Sequence, residues 1–149
     1  MWSAKFEGGR ELAETLLSLP PALSYRVLIE GLKDAAEPMR ARMAQLAPRE
    51  PGAPDLADNM GISVASRIGS TAGGRWVSRE EGQAAVAVGP TKGFFYGLFQ
   101  EYGTSRHRAQ PFARPAFDSE APTALGIMGR VYWTILASKG VHRPTRMAA

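Results

Sequence analysis

The chain of 149 residues contains no cysteine and only two histidines. Without cysteine, neither a disulfide framework nor a thiolate metal site can form, and we expect synthesis in a reducing, intracellular compartment. Because a transition-metal site needs several converging ligands, we expect no metal, and no other cofactor is indicated. No apolar run approaches the roughly 18 residues that span a membrane, and residues 1–9 lack the pattern of a signal peptide. These absences predict a soluble protein without a membrane partner.

Acidic residues are scarce in the last third of the chain. Residues 1–100 carry eleven basic and eleven acidic residues, whereas residues 101–149 carry seven basic and three acidic ones. A basic end is compatible with a nucleic-acid partner, because clustered Lys and Arg gain affinity by displacing counterions from phosphates. An ordinary solvated surface gives the same count, so charge alone does not identify a partner.

Helical spacing of apolar residues predicts a short helix over residues 9–19 and a long helix over residues 22–46. The short helix is expected to stop at Pro20, since proline does not continue a helix easily. In the long helix, Pro38 predicts either a kink or two helices end to end. The expected core-facing positions of these helices are Leu12, Leu16, Leu17, Leu28, Leu32, Ala35, Met39, Met43 and Leu46.

A period-two alternation follows the proline-rich loop at residues 48–54. It predicts three antiparallel strands in a meander, at residues 62–68, around Trp76 and at residues 84–88. The Gly-Pro pair after the third strand is expected to close the sheet.

An aromatic segment then predicts a short helix that ends on a C-cap at Gly103, and a second long helix is expected over residues 115–138. We expect the aromatic side chains to seat the short helix on the sheet, in preference to forming a stacking platform for bases. They are Phe94, Phe95, Tyr96 and Phe99. The expected core positions of the last helix are Phe117, Ala121, Leu125, Met128, Tyr132 and Ile135.

Together these elements predict an α+β fold, in which a small antiparallel β-sheet packs against two long helices and a short aromatic helix precedes the last one. The length is typical of one domain, so we predict a single domain over residues 1–149 with a flexible tail at residues 139–149.

No catalytic constellation is indicated. Ser105 and His107 stand two residues apart in a polar turn, but a triad also needs an orienting acid and an oxyanion hole. Residues 89–93 contain Lys and Thr without the spacing of a phosphate-binding loop, and favour a turn. An ion pair between Glu101 and Arg106 would contribute under about 1 kcal/mol in an exposed turn. We therefore predict a non-enzymatic protein.

Two motifs separated by a short basic turn, Ser105 to Arg108, are the most specific feature of the sequence. The first motif is Glu101, Tyr102, Gly103 and Thr104, and the second is Pro111, Phe112, Ala113, Arg114, Pro115 and Ala116. With the preceding order of segments, including Phe95-Tyr96-Gly97, they resemble the phage family named after the tenth gene product of phage HK-ninety-seven. The resemblance covers nearly the whole chain up to the last helix. Residues 55–60 depart from the Gly-Asn-Leu-like entry to the first strand that is frequent in that family.

The resemblance implies a tail-completion, or head-tail joining, protein of a long non-contractile tail. Such proteins form rings, expected here as a hexamer, between the head-closure proteins and the tail tube. The implied partners are further copies of the chain, the head-closure or stopper protein, the tail terminator or tail tube protein, and DNA passing through the channel. The implied location is the head-tail junction of the virion, after synthesis in the host cytoplasm. In the motifs, Gly103 would permit a sharp C-cap, Pro111 and Pro115 would fix the entry to the last helix, and Phe112 would anchor it.

Exposed irregular segments are where assembly surfaces are easily built, so we expect the basic turn and the proline-rich loop to contact neighbouring subunits. The candidate contact residues are Arg106, Arg108, Pro48, Pro51 and Pro54. Arg108 and Arg114 would extend the basic turn into a small patch for DNA or an acidic partner subunit, although the residues alone favour an ordinary solvated turn. The alternatives are a tail terminator that caps the tail tube, a nucleic-acid-binding module that uses the basic end, and a small hydrolase built on Ser105 and His107.

Overall fold

The structure, a computed structural model, describes residues 8–49, 52, 55–64 and 84–142. In chain order its elements are α1 (Gly9–Ser18), α2 (Pro21–Leu46), a 3₁₀ turn (Ala57–Asn59), β1 (Met60–Val64), β2 (Val86–Pro90), α3 (Gly97–Tyr102) and α4 (Ala113–Ser138). The two strands form an antiparallel sheet, and both contact α2. The predicted α+β fold is thereby confirmed, with α2 and α4 as the long helices and α3 as the short helix before the last one.

Two prolines mark the start of α2, and a third proline inside the helix does not end it. Pro20 separates α1 from α2, and Pro21 occupies the first position of α2, where the missing N–H would have had no partner in the helix. The helix then continues through Pro38 to Leu46, so the alternative of two helices end to end is wrong. α4 likewise contains Pro122. An internal proline costs roughly 3 kcal/mol, so tertiary packing must hold both helices.

The two long helices, α2 and α4, pack against each other. Each has 26 residues and is therefore about 39 Å long. Val27 near the start of α2 packs with Tyr132 and Leu136 near the end of α4, and Leu12 and Leu16 of α1 complete this buried group, which we call the α1 cluster. Since the start of one helix meets the end of the other, the pair is antiparallel.

A second buried group, which we call the sheet cluster, lies at the opposite end of the pair. Its buried members are Met43, Ala47, Leu56, Ala57, Met60, Phe112 and Ala116. Met43 is near the end of α2 and Ala116 near the start of α4. Val88 of β2 packs against the same cluster. The sheet and α1 therefore pack at opposite ends of the helix pair.

Small residues let α2 and α4 approach closely between the two clusters. The buried residues of α2 are Val27, Gly31, Ala35, Ala36 and Met43, and those of α4 are Ala116, Ala121, Ala124, Gly129, Tyr132 and Leu136. A Cβ at Gly31 would lie 2.3 Å from Cε1 of Tyr132, so the ring occupies the space that a side chain would need. Two of the larger residues predicted for the core are exposed instead: Leu17 is 80% exposed and Phe117 is 48% exposed.

Tyr132 also makes a polar contact between α4 and α2. Its hydroxyl donates a hydrogen bond to the carbonyl oxygen of Leu28 at 3.1 Å. Burial raises the pKa of Tyr132 to about 12, because an apolar environment disfavours the charged phenolate.

The sheet differs from the prediction at its end. β1 and β2 pair from Met60 opposite Pro90 to Val64 opposite Val86. β2 extends two residues beyond the predicted strand 84–88 and includes the Gly-Pro pair, and the described sheet closes at Pro90, the last residue of β2. The predicted strand around Trp76 and the last part of the first predicted strand lie outside the described residues.

α4 ends in a Schellman motif. Gly140 adopts φ +79°, and the N–H of Val141 donates to the carbonyl oxygen of Leu136 at 2.9 Å. Val141 packs against the α1 cluster. The first residues of the segment predicted as a flexible tail, 139–149, thus complete the end of the helix, and the segment beyond residue 142 lies outside the described residues.

Candidate functional site

The two sequence motifs meet at the start of α4 through the side chain of Glu101. Its Oε2 accepts hydrogen bonds from the backbone N–H groups of Phe112 and Ala113, each at 2.8 Å, and its Oε1 accepts one from the N–H of Arg114 at 3.0 Å. The first N–H groups of a helix have no partner within the helix. One carboxylate from α3 therefore satisfies three of these donors and ties α3 to α4.

Electrostatics strengthens this contact. A helix N-terminus carries a partial positive charge, and hydrogen bonds to an ionised acceptor are shorter and stronger than neutral ones. The alternative considered from the sequence, an ion pair between Glu101 and Arg106, does not form, because the carboxylate faces the backbone of α4 instead. We call this arrangement, Glu101 with the N–H groups of Phe112, Ala113 and Arg114, the Glu101 clamp.

Gly103 turns the chain between the two motifs. It is the C-cap of α3, as predicted, with φ +74° and ψ 177°, and its N–H donates to the carbonyl oxygen of Phe99 at 2.8 Å. A Cβ at this position would lie 2.7 Å from the backbone nitrogen of Ala109 and 2.9 Å from the carbonyl oxygen of His107. Both the backbone conformation and the close approach therefore require glycine.

The basic turn is held by its own hydrogen bonds. Thr104 Oγ1 accepts from the N–H groups of Arg106 at 3.3 Å and His107 at 3.0 Å, and the Thr104 N–H donates to the His107 carbonyl at 2.8 Å. The Gln110 N–H donates to the backbone carbonyl of Gln100 at 2.7 Å. Thr104 thus closes the turn, and Gln110 brings the chain back beside α3.

The second motif supplies the anchor. Phe112 is 1% exposed and Ala116 is fully buried, both in the sheet cluster. Pro111 and Pro115 are exposed on either side of the helix start, and Arg114 is exposed as well. A Cβ at Gly97 in α3 would lie 2.8 Å from Cγ of Pro90 and 3.6 Å from Cζ of Phe112. The missing side chain at Gly97 therefore lets α3 lie directly on the sheet cluster.

The catalytic alternative finds no support in the environment of His107. Its Nε2 is hydrogen bonded to Oε1 of Gln100 at 3.1 Å, which is an amide and not a carboxylate. Ser105 lies exposed in the same turn. In a triad Nε2 faces the serine hydroxyl, whereas here an amide oxygen occupies that position, so the ring has a structural partner instead.

The candidate assembly residues differ in how exposed they are. Arg106 and Arg108 are exposed in the basic turn, whereas Pro48 is half-buried beside Ala47 of the sheet cluster. Arg49 forms an ion pair with Asp55 and a second one with Asp58 at 3.6 Å, which joins the start of this loop to the residues that follow it. Pro51 and Pro54 lie outside the described residues.

The aromatic segment has two faces, and the prediction of a core role holds for one of them. Phe94 and Tyr96 pack against the sheet cluster. Phe95 and Phe99 point outward, with their rings edge to face at 6.2 Å between centroids. Beside them an open groove of about 710 Å³ runs between α3 and the start of α4. Sequence reasoning missed this exposed face, although the spacing of Phe95, Leu98, Phe99 and Tyr102 carries its signal.

Comparisons with protein-family models, curated proteins and solved structures found no match to this chain. Within the described ranges, no group of three or more His, Asp or Glu side chains is placed to hold a metal ion. No helix in that part of the chain is both long and apolar enough to cross a membrane.

Proposed function

We propose that this chain is a structural subunit of a phage neck, a tail-completion or head-tail joining protein. It forms a ring between the head-closure proteins and the tail tube, at the head-tail junction of the virion. Its partners are further copies of itself, the head-closure or stopper protein, and the tail terminator or tail tube protein. DNA passes through the channel of the ring.

The Glu101 clamp is the observation that best supports this proposal. The resemblance rests on two motifs, and the clamp makes those motifs a single unit held by three hydrogen bonds. Gly103 and Phe112 add a fixed turn and a buried anchor. Motif residues that act on the backbone and the core suit a protein whose task is to keep its shape between two larger assemblies.

Electron microscopy of phage particles tests the proposal directly. The gene would carry an early stop codon, and a plasmid copy would provide the complemented control. Filled heads and assembled tails that stay apart are expected, because the joint between them is missing. Tails of aberrant length would instead indicate the tail terminator function. Intact, infectious virions without the protein would refute both roles in the neck.

The basic turn supports a contact with neighbouring subunits within this proposal. Arg106 and Arg108 are exposed, and among the described residues neither takes part in an ion pair. Replacing both with alanine is expected to weaken ring assembly in complemented particles. A suitable charge-matched control replaces Arg26 and Arg130, which are exposed on α2 and α4. Equal assembly of the two double variants would remove the basic turn from the interface.

The same exposed cations favour nucleic-acid binding as a second candidate function. Phosphate contacts predict an affinity that falls steeply with salt. If Arg106 and Arg108 each contact a phosphate, replacing both reduces the magnitude of the slope of log affinity against log salt by about 1.8. Fluorescence anisotropy with a labelled DNA duplex, over a salt series, would measure this slope for the protein and both double variants. Binding that is absent at low salt would exclude this function.

A further inference from the structure

An exposed apolar surface surrounds α3 and the start of α4. Its members are Phe95, Leu98, Phe99, Tyr102 and Phe117, between 43% and 76% exposed, and we call it the α3 patch. The first four follow the spacing i, i+3, i+4 and i+7, so they lie on one side of α3 and the turn before it. Gly97 is on the opposite side, against the sheet cluster. The outer side of α3 is therefore apolar and has no partner within the described residues.

The size of the α3 patch matches one side of a protein-protein interface. With aromatic side chains that bury roughly 150–250 Å² each, these exposed fractions amount to about 500 Å² of apolar surface. A standard interface buries about 800 Å² per partner, of which somewhat more than half is apolar. The patch is thus large enough to form the apolar part of a complete interface.

The charges beside the patch determine how two copies can meet. Lys92 and Arg114 line the same groove as the patch. Glu101 is the acidic residue among those lining this groove, and its carboxylate is directed to the backbone of α4. In a two-fold contact of patch against patch, the cations of both copies would face each other, which is unfavourable. This repulsion favours a contact between the patch and a different surface of the next copy.

The outer face of α1 is the surface that fits. Leu17 is 80% exposed, and Ala13 lies exposed one turn before it. Glu14, exposed on the same face, offers a carboxylate to the basic residues beside the patch, and Arg10 lies a further turn away. α1 packs at one end of the α2 and α4 pair and α3 at the other end. These two surfaces cannot meet within one chain, whereas they can meet between successive copies.

We propose that the α3 patch of one copy binds the outer face of α1 of the next copy, so that copies associate head to tail. A contact between two different surfaces repeats from copy to copy and produces a closed ring when the rotation closes. The inference that this contact forms the ring in the phage neck rests on the proposed function. The contact itself is a property of the chain and can be tested on purified protein.

Disulfide trapping is well suited to this test because the native chain contains no cysteine. Phe95→Cys in the patch and Leu17→Cys on α1 both replace strongly exposed side chains, so the fold is preserved. The two single variants would be mixed and oxidised with glutathione disulfide. Non-reducing gel electrophoresis would then measure the fraction of cross-linked protein. A Val64→Cys variant, at an exposed apolar position of β1, serves as the control partner for Leu17→Cys.

The head-to-tail contact predicts cross-linked dimers in the mixture of Phe95→Cys and Leu17→Cys, at least several-fold above the control mixture. A chain that carries both substitutions is expected to form a ladder of oligomers. Cross-linking of Phe95→Cys with itself, at the level of the mixture, would indicate a two-fold contact and overturn the proposal. Cross-linking at the control level would overturn it as well.

The outcome is independent of the particle experiment. Cross-links together with intact virions in the absence of the protein would retain the contact and refute the neck function. A neck defect without cross-links would retain the function and refute the contact.

Discussion

Removal of the Glu101 carboxylate should destabilise the whole domain, because the clamp joins α3 to the start of α4. Glu101→Ala leaves three N–H groups without their acceptor. Water can replace the contact at Arg114, which is exposed, but the contacts at Phe112 and Ala113 are partly buried. Loss of a helix cap costs about 1 kcal/mol, and a hydrogen bond to a charged group contributes about 1.5–3 kcal/mol. We therefore expect a loss of about 2–3 kcal/mol in the free energy of unfolding.

Urea denaturation followed by circular dichroism measures this loss. For a domain of this size it corresponds to a decrease of roughly 6–10 °C in Tm. Glu101→Gln retains an acceptor oxygen but loses the charge, so it should fall between the wild type and Glu101→Ala. Glu30→Ala removes a carboxylate from an exposed position on α2 and should change stability by less than about 0.5 kcal/mol.

Hydrogen exchange provides a local measure of the same effect. The amides of Phe112 and Ala113 should exchange faster in Glu101→Ala than in Glu30→Ala, since only the first variant frees them. Equal stability of the two variants, together with unchanged exchange at these amides, would refute the role assigned to the clamp.

Three further substitutions test the packing and the turn. Gly103→Ala forces φ +74° on a residue with a Cβ that meets backbone atoms at 2.7 and 2.9 Å, so it should cost about 3 kcal/mol or more by urea denaturation. Gly31→Ala should also destabilise, by about 1–3 kcal/mol, because its Cβ meets the ring of Tyr132. In a Tyr132→Ala background the same change should be neutral or stabilising, since alanine favours a helix by about 1 kcal/mol over glycine; destabilisation there would contradict the packing argument. Tyr132→Phe should cost about 1 kcal/mol at neutral pH through the lost hydrogen bond to Leu28. The raised pKa of Tyr132 favours the neutral phenol in the folded state, so its contribution is complete below pH 10 and decreases as the pH rises toward about 12. The stability difference between wild type and Tyr132→Phe should accordingly shrink across this range, and a constant difference would contradict the assignment.

The helices were predictable because their signals are local. Apolar residues at helical spacing located α1, α2 and α4 to within two residues at each end, and Pro20 marked the boundary between the first two. The C-cap at Gly103 followed from the same kind of signal. The continuity of α2 through Pro38 did not, because the packing that holds both halves together comes from α4, which lies far away in sequence.

The candidate site was only partly predictable. The two motifs were identified, but the bond between them is made by the backbone of one and a side chain of the other, eleven residues apart. Opposite charges close in sequence indicate Arg106 as the partner of Glu101, whereas the N–H groups of α4 give no signal in the residue types, because every residue except proline carries one. The outward direction of Phe95 and Phe99 was missed because aromatic residues are commonly assigned to the core before the face they occupy is counted.

The pairing of α2 with α4 has a consequence for how the chain folds. The hydrogen bond from Tyr132 to Leu28 joins residues 104 positions apart, and the α1 cluster depends on the same pairing. Contacts between such distant residues form late, since a long loop must be closed before the contact gains any energy. During synthesis the apolar face of α2 therefore remains exposed to solvent until α4 has been made. The emerging chain is expected to be most prone to aggregation in this interval, and to fold cooperatively once the last helix joins the first two.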